Sequence, residues 1–256
     1  MLPITHRHQN HLLSGLPPAV RERVSPHLDW VPLALGQVLY EPESAVKFAY
    51  FPADCIASLQ CATENGETAE VAAVGSEGML DVGLFLDGDY SAHVAVIRRA
   101  GYAYRCSAQS LRLEFDECPV LQRVLLRYSQ TLLTQITQTA VCNRYHSVSQ
   151  QLCRWLLLNL DRTRSSHSTI TQEAIARMLG VRREGVTEAA GRLRGQGVID
   201  YHRGNVVVLD RVGLERAACS CYSGFSRALQ RASRNCADNS GVARRLLPLA
   251  STHSFA

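Results

Sequence analysis

The segment Ile170–Leu193 constrains the fold more than any other part of the chain. Thr171 is of the residue type that caps a helix N-terminus. Ala176 is small where two helices must approach closely. Gly180, four residues on, suits the left-handed conformation that ends a helix. Val186, six residues further, is apolar where a second helix packs back, and Ile175, Leu179, Val181 and Leu193 complete the apolar set. A small residue, a glycine at +4 and an apolar residue at +10 match two short helices meeting at a tight corner. A generic helical hairpin is the alternative reading.

The second helix of this corner is expected to begin near Arg182. Its first turns carry Arg182, Arg183, Glu184, Thr187 and Glu188. Two arginines at a helix start oppose the helix dipole, which an anionic partner at that end would explain. Arg there can grip guanine O6 and N7, and Glu can accept from cytosine N4. Thr171 and Gln172, at the start of the first helix, join the expected DNA-facing set. Gly197–Leu209 follows with two short β runs flanking Arg203-Gly204-Asn205. That reads as a hairpin with a basic tip, so His202 and Arg203 are expected to face backbone phosphate.

Charge supports the same end of the chain. Residues 1–143 carry 10 Lys+Arg against 15 Asp+Glu, a balance of −5; residues 144–256 carry 17 against 8, or +9. A basic back half behind an acidic front half points to a polyanionic partner, with an unpartnered solvated face as the bland alternative. All the basic residues but Lys47 are Arg, which suits bidentate contact with phosphate and guanine.

Upstream the pattern differs. Residues 8–30 read as short helices, with Leu12, Leu13, Leu16, Val20, Val24 and Leu28 as apolar positions. From about Val31 to Phe115, short apolar runs alternate with turn residues. The runs are Gln37–Tyr40, Phe48–Phe51, Ile56–Cys61, Ala69–Val74, His93–Arg98 and Ala103–Ser107. Regularly spaced short strands argue for an all-β barrel or sandwich. Pro119–Asn143 then reads as a helix about 35 Å long at about 1.5 Å per residue. Leu121, Leu125, Tyr128, Leu132 and Ile136 form one apolar stripe on it. That stripe fits packing against the chain's own barrel or a coiled-coil-like dimer seam. A further helix is expected over Ser147–Leu160.

Catalysis finds no support. None of the patterns G-x-S-x-G, H-E-x-x-H or G-x-x-x-x-G-K-[ST] occurs, and a Cys–His hydrolase has no recognisable nucleophile motif. The expected catalytic and metal residues are none. The nine cysteines include no CxxC, so buried free thiols are the default; Cys219-x-Cys221 is the one tight pair open to a metal or redox role. No run reaches the roughly 18 apolar residues of a membrane span, and the N-terminus lacks a signal core, so the expected location is the cytoplasm.

In this order, these segments resemble the Crp/Fnr family of bacterial transcription regulators, over about residues 10–222 and most closely over Thr169–Leu209. The resemblance implies an α+β chain. An N-terminal double-stranded β-helix or jelly-roll barrel, related to cyclic-nucleotide-binding domains, spans 10–118. A long dimerisation helix spans 119–143, and a winged helix-turn-helix spans 144–222. A basic tail at 223–256 is expected to be disordered. The resemblance also implies a homodimer on two-fold related double-stranded DNA that contacts RNA polymerase, and it moves the stripe towards a dimer seam. The family's base-reading set is an Arg-Glu pair and an Arg four residues after the Glu. Arg183-Glu184 matches the pair, but Glu188 stands at the third position, so a different half-site is expected, with Arg182 contributing.

Cyclic-nucleotide members carry a Gly-Glu step and a later Arg followed by a small residue. Here Asp81 stands for the Glu and Tyr90, before Ser91, for the Arg. Tyr cannot neutralise a phosphate charge, and Asp87 and Asp89 add repulsion. Weak or no cyclic-AMP binding is expected at Asp81, Tyr90 and Ser91, and no cofactor is implied. No Cys precedes Cys55, so the N-terminal iron–sulfur cluster of Fnr-type members is not matched. His93 is a strand histidine or, far less readily, a haem ligand. A sensing module that regulates a protein partner is the alternative function.

Overall fold

The computed structural model describes residues 9–86, 90–91, 93–163 and 165–229. The readings placed on Asp87, Asp89, Ala92 and residues 230–256 lie outside the described residues.

The chain opens with two short helices, α1 (His11–Ser14) and α2 (Pro18–Val24). Asn10 caps α1 and also donates to the carbonyls of Pro52 and Gly78 at 2.8 Å, which pins the start of α1 to the barrel. Seven strands follow: β1 (Asp29–Leu33), β2 (Val38–Tyr40), β3 (Phe48–Pro52), β4 (Ile56–Ala62), β5 (Thr68–Val74), β6 (Val94–Arg99) and β7 (Gly101–Ser107). They form two antiparallel sheets, ordered β1-β7-β3 and β2-β6-β4-β5. Leu33, Phe51 and Tyr104 from the first sheet and Leu59, Val74 and Ile97 from the second share one buried core. Burying apolar faces between two sheets is what short alternating strands require.

α3 (Ala108–Glu117) then turns the chain, with Ser107 capping it by accepting from the Ser110 N–H. This helix was not expected, because only Ala108, Leu111 and Glu114 are buried along it. α4 (Pro119–Tyr145) runs two residues beyond the expected end. Its apolar stripe does not form a free seam. Leu121, Leu125, Tyr128 and Leu132 lie within the barrel's core cluster, and Ile136 packs against it. At Gly78 an added Cβ would stand 2.1 Å from the Tyr128 hydroxyl, so the glycine gives Tyr128 its seat on the barrel. The seam expectation for these five residues is therefore corrected: they serve the chain's own core. The side of α4 left open is Arg123, Leu126, Gln130, Leu133, Thr137, Ala140 and Arg144, all exposed and spaced alternately by three and four.

The C-terminal part holds α5 (Val148–Thr163), β8 (His167–Thr169), α6 (Gln172–Leu179), α7 (Arg183–Gly195), β9 (Ile199–His202), β10 (Asn205–Val208) and α8 (Arg211–Ala217). A second core gathers Leu156, Ile175, Val186, Leu193, Val206 and Leu214. The small sheet is ordered β8-β10-β9. β8 lies in a polar stretch; only three residues long, it is held by pairing with β10 rather than by an apolar pattern. Residues 220–229 are helical (α9). The disorder expected from 223 therefore does not hold for its first residues, because Phe225 is buried and faces the Arg162 guanidinium at 5.8 Å.

The two parts meet across a polar junction. Arg98 of β6 pairs with Glu70 of β5 at 3.2 Å, donates to Asn159 of α5 and lies 4.9 Å over the Trp155 ring. The Trp155 indole donates to Glu70 at 3.2 Å. No helix among the described residues is long and apolar enough to cross a membrane.

Candidate nucleic-acid interface

The corner between α6 and α7 follows from its residues. Thr171 caps α6 by accepting from the Ala174 N–H at 3.1 Å. Gly180 ends α6 at φ 64°, ψ 37°, where an L side chain is strained, and its N–H turns back to the last carbonyls of the helix. Val181 donates to the Ala176 carbonyl at 3.0 Å, closing the corner. Ala176, Val186, Ala189 and Ala190 are buried, so the two helices touch through small residues. The Thr187 hydroxyl donates to Gln172 Oε1 at 2.7 Å and fixes one helix against the other.

Arg182 is the N-cap of α7 and makes no side-chain cap bond. Arg182, Arg183, Glu184, Thr187 and Glu188 are all exposed. Among the described residues, neither an ion pair nor a hydrogen bond engages the side chain of Arg182, Arg183 or Glu184, although the Arg183 carbonyl accepts from the Thr187 hydroxyl at 3.1 Å. Two guanidinium groups therefore stand at the positive end of a helix without an ion-pair partner among the described residues. Glu188 differs: it accepts from Arg192, one turn on, at 3.0 Å.

The hairpin of β9 and β10 turns through Arg203 and Gly204, at φ 46° and 80°. Successive positive φ values mark the tight turn that matches strand twist. Ile170 donates to the Gly204 carbonyl at 2.7 Å, and the Tyr201 hydroxyl donates to the Ile170 carbonyl at 2.7 Å. These bonds bring the turn beside Thr171, whose methyl group would lie 3.7 Å from a Cβ added at Gly204. His202 and Arg203 are exposed there. Thr171, Gln172, the first turns of α7 and the hairpin tip thus belong to one compact unit.

The barrel residues read as a degenerate ligand cassette do not converge in this way. Asp81 is buried at φ 63°, and burial pushes its carboxyl up to about 6, against the opposing pull of the Gly83 N–H and Arg112. Tyr90 is 64% exposed. The buried Ser91 hydroxyl donates to the His93 carbonyl at 2.9 Å. His93 stands one residue ahead of β6 rather than within a strand, and burial lowers its pKa.

One grouping escaped the sequence reading. Cys142, His146, Cys219 and Cys221 come together, with their ligand atoms all within 4.8 Å of one another. The Cys219-x-Cys221 pair was visible in the sequence. Its partners were signalled by Cys142 and His146, four apart on one helix face.

Comparison with known proteins agrees with this geometry. Residues 150–217 match the model of the Crp-like helix-turn-helix domain. Among curated protein sequences none matches the chain. Solved structures resemble it in fold. A Crp/Fnr-family transcriptional regulator from Eubacterium rectale has TM-score 0.65 at 15% identity, over 80% of this chain and 96% of its own. FixK2 from Bradyrhizobium japonicum has TM-score 0.63 at 14% identity, over 75% and 98%. The c-di-GMP-responsive regulator CLP from Xanthomonas campestris has TM-score 0.61 at 17% identity, over 75% and 99%. Residues 150–217 thus form a Crp-like helix-turn-helix domain, and the chain shares the fold of solved Crp/Fnr-family regulators.

Proposed function

We propose that the chain binds a specific DNA sequence as a homodimer, with α7 in the major groove and the β9–β10 turn on the flanking backbone. The observation that carries this reading is the pair Arg182 and Arg183, exposed and without an ion-pair partner among the described residues at the N-terminal end of α7. That end of a recognition helix is the one that meets base edges. Arg183 is assigned to guanine, Glu184 to cytosine and Thr187 to the neighbouring pair. Arg203 and His202 are assigned to phosphate. Thr171 and Gln172 support the α7 register and lie beside the backbone path. Because Glu188 is tied to Arg192, the third family contact is replaced, and Arg182 takes its share. Contact with RNA polymerase is part of the same reading.

The dimer seam is assigned to the open stripe of α4, through Leu126, Leu133, Thr137 and Ala140, since a 3–4 spacing keeps one face towards a partner helix. The barrel is assigned a signal other than cyclic AMP. An exposed Tyr90 offers no cation to a cyclic phosphate, and a buried Asp81 adds negative charge as it ionises.

Selection of bound sites from random double-stranded DNA tests the main reading. A two-fold related consensus supports it; recovery of unenriched DNA overturns it. Titration calorimetry with cyclic AMP and cyclic GMP tests the second part, and dissociation constants of about 1 μM or tighter would refute it.

A further inference from the structure

Cys142 lies in the last turn of α4 and His146 caps that helix, its N–H donating to the Cys142 carbonyl at 3.1 Å. Four residues apart, the two side chains share a helix face. Cys219 and Cys221 arrive from the other end of the DNA-binding domain, between α8 and the first turn of α9. Cys142 Sγ is 3.5 Å from Cys219 Sγ, and Cys221 Sγ is 3.6 Å from His146 Nδ1. The three thiols are buried and His146 is half-buried.

These separations carry chemical information. A tetrahedral zinc site has Zn–S of about 2.3 Å and Zn–N of about 2.0–2.1 Å, which puts two sulfurs about 3.8 Å apart and a sulfur and a nitrogen about 3.6 Å apart. Both measured edges lie close to those lengths. Ligand atoms held within 4.8 Å of one another leave room for one ion, not for a multinuclear cluster. Three thiols and one imidazole form a donor set typical of structural zinc.

Charge supports the same reading. Three thiolates around a divalent ion leave one negative charge. The buried guanidinium of Arg154 acts electrostatically on both Cys142 and Cys221, and donates to Thr139 Oγ1 at 2.9 Å. Its Nε is buried and lacks a hydrogen-bond partner among the described residues. A buried cation beside a set of neutral thiols would be poorly compensated; beside an anionic zinc centre it is matched.

We propose that Cys142, His146, Cys219 and Cys221 bind one Zn²⁺ in a closed, structural Cys3His site. The site clamps the end of the long helix to the segment that leaves the winged domain. On binding, each thiol releases its proton to solvent and becomes a thiolate ligand, and His146 coordinates as neutral imidazole through Nδ1. The connection between α4 and α5 lies at His146-Ser147, so the ion would fix the angle at which the DNA-binding domain is held. That consequence rests on the DNA-binding reading above; the metal site does not.

The test uses the full chain, purified without a metal-binding tag under reducing conditions and supplied with Zn²⁺. Elemental analysis and native mass spectrometry should find about one zinc per chain. Cys221→Ser and His146→Ala should lower this to near none, whereas Cys61→Ser, at an exposed thiol elsewhere, should keep it. Should the ligand variants fail to fold, wild-type protein still decides the matter. Alkylation followed by peptide mapping should find Cys142, Cys219 and Cys221 protected with zinc and reactive after chelation. Cobalt in place of zinc should give the visible bands of a tetrahedral thiolate site. Folded wild-type protein that takes up no zinc, a Cys142–Cys219 disulfide in the reduced preparation, or zinc kept by Cys221→Ser would each overturn the proposal. Gel shifts run beside these measurements keep the two readings apart, since zinc uptake does not require DNA binding.

Discussion

Arg162 of α5 donates through Nε to the Glu77 carboxylate of the barrel at 2.6 Å, with side chains only 5% and 14% exposed. The same guanidinium donates to the Ala73 carbonyl at 2.8 Å. A buried pair of this kind adds little net stability over an apolar replacement, but removing one partner strands the other charge. Glu77→Ala should therefore destabilise the chain by about 3–5 kcal/mol, while Glu77→Leu with Arg162→Met should recover most of the loss. Urea denaturation of the three proteins checks this. A double variant as unstable as the single one would show that the pair does more than satisfy its own charges.

Asp81 gives the barrel a pH dependence of known sign. Its folded pKa of about 6 lies above the ordinary value of 3.8, because burial disfavours the charged form. Between those values the folded chain binds more protons than the unfolded one, so stability falls as pH rises from about 4 to about 6. Asp81→Asn keeps an acceptor for the Gly83 N–H, and Asn tolerates the left-handed backbone. The variant should be more stable than wild type at pH 7 by about 1–2 kcal/mol, after allowance for solvent screening. The gap should close near pH 4. Thermal melts across this range provide the check, and an equal gap at both ends would rule out Asp81 as the titrating group.

The C-terminal corner was legible because its signals are local. A cap at Thr171, a small residue at Ala176 and a left-handed Gly180 each act within a few residues of themselves. Six of the seven barrel strands were legible for the same reason, since alternation and turn residues mark them, whereas β1 begins inside the stretch read as short helices. The seam was not. An apolar stripe states that a face is buried, not what buries it, and Leu121, Leu125, Tyr128 and Leu132 went to the barrel. The open stripe holds only two leucines among Arg, Gln, Thr and Ala, too weak a pattern to choose without the fold. The Cys3His grouping was hidden for another reason: Cys142 and Cys219 are 77 residues apart, and only tertiary structure joins them.

The two faces of α4 make opposite predictions. Leu126 and Leu133 are 41% and 50% exposed, and Leu125 is buried. Leu126→Glu with Leu133→Glu should leave the monomer folded, because neither side chain serves its core. It should convert the proposed dimer to monomer by placing like charges along the seam. Leu125→Ala should cost about 2–5 kcal/mol of folding stability instead, through the cavity it leaves. Analytical ultracentrifugation with denaturation curves separates the outcomes. A dimer that survives both glutamates would move the interface off this helix.

At the DNA end, base contacts and phosphate contacts predict different losses. Arg183 is assigned to a guanine edge and Arg203 to the backbone. Arg183→Ala should cost about 1–3 kcal/mol on the selected site and relax preference at one base pair. Arg203→Ala should weaken specific and random DNA alike and reduce the salt slope by about one. Neither residue packs in the core, since both side chains are exposed, so stability should hardly change. Gel shifts at several salt concentrations, on the selected site and on its single-base variants, read both effects. Arg203→Ala acting on one base only, or Arg183→Ala acting on all sequences equally, would exchange the two assignments and turn the docked orientation of α7 around.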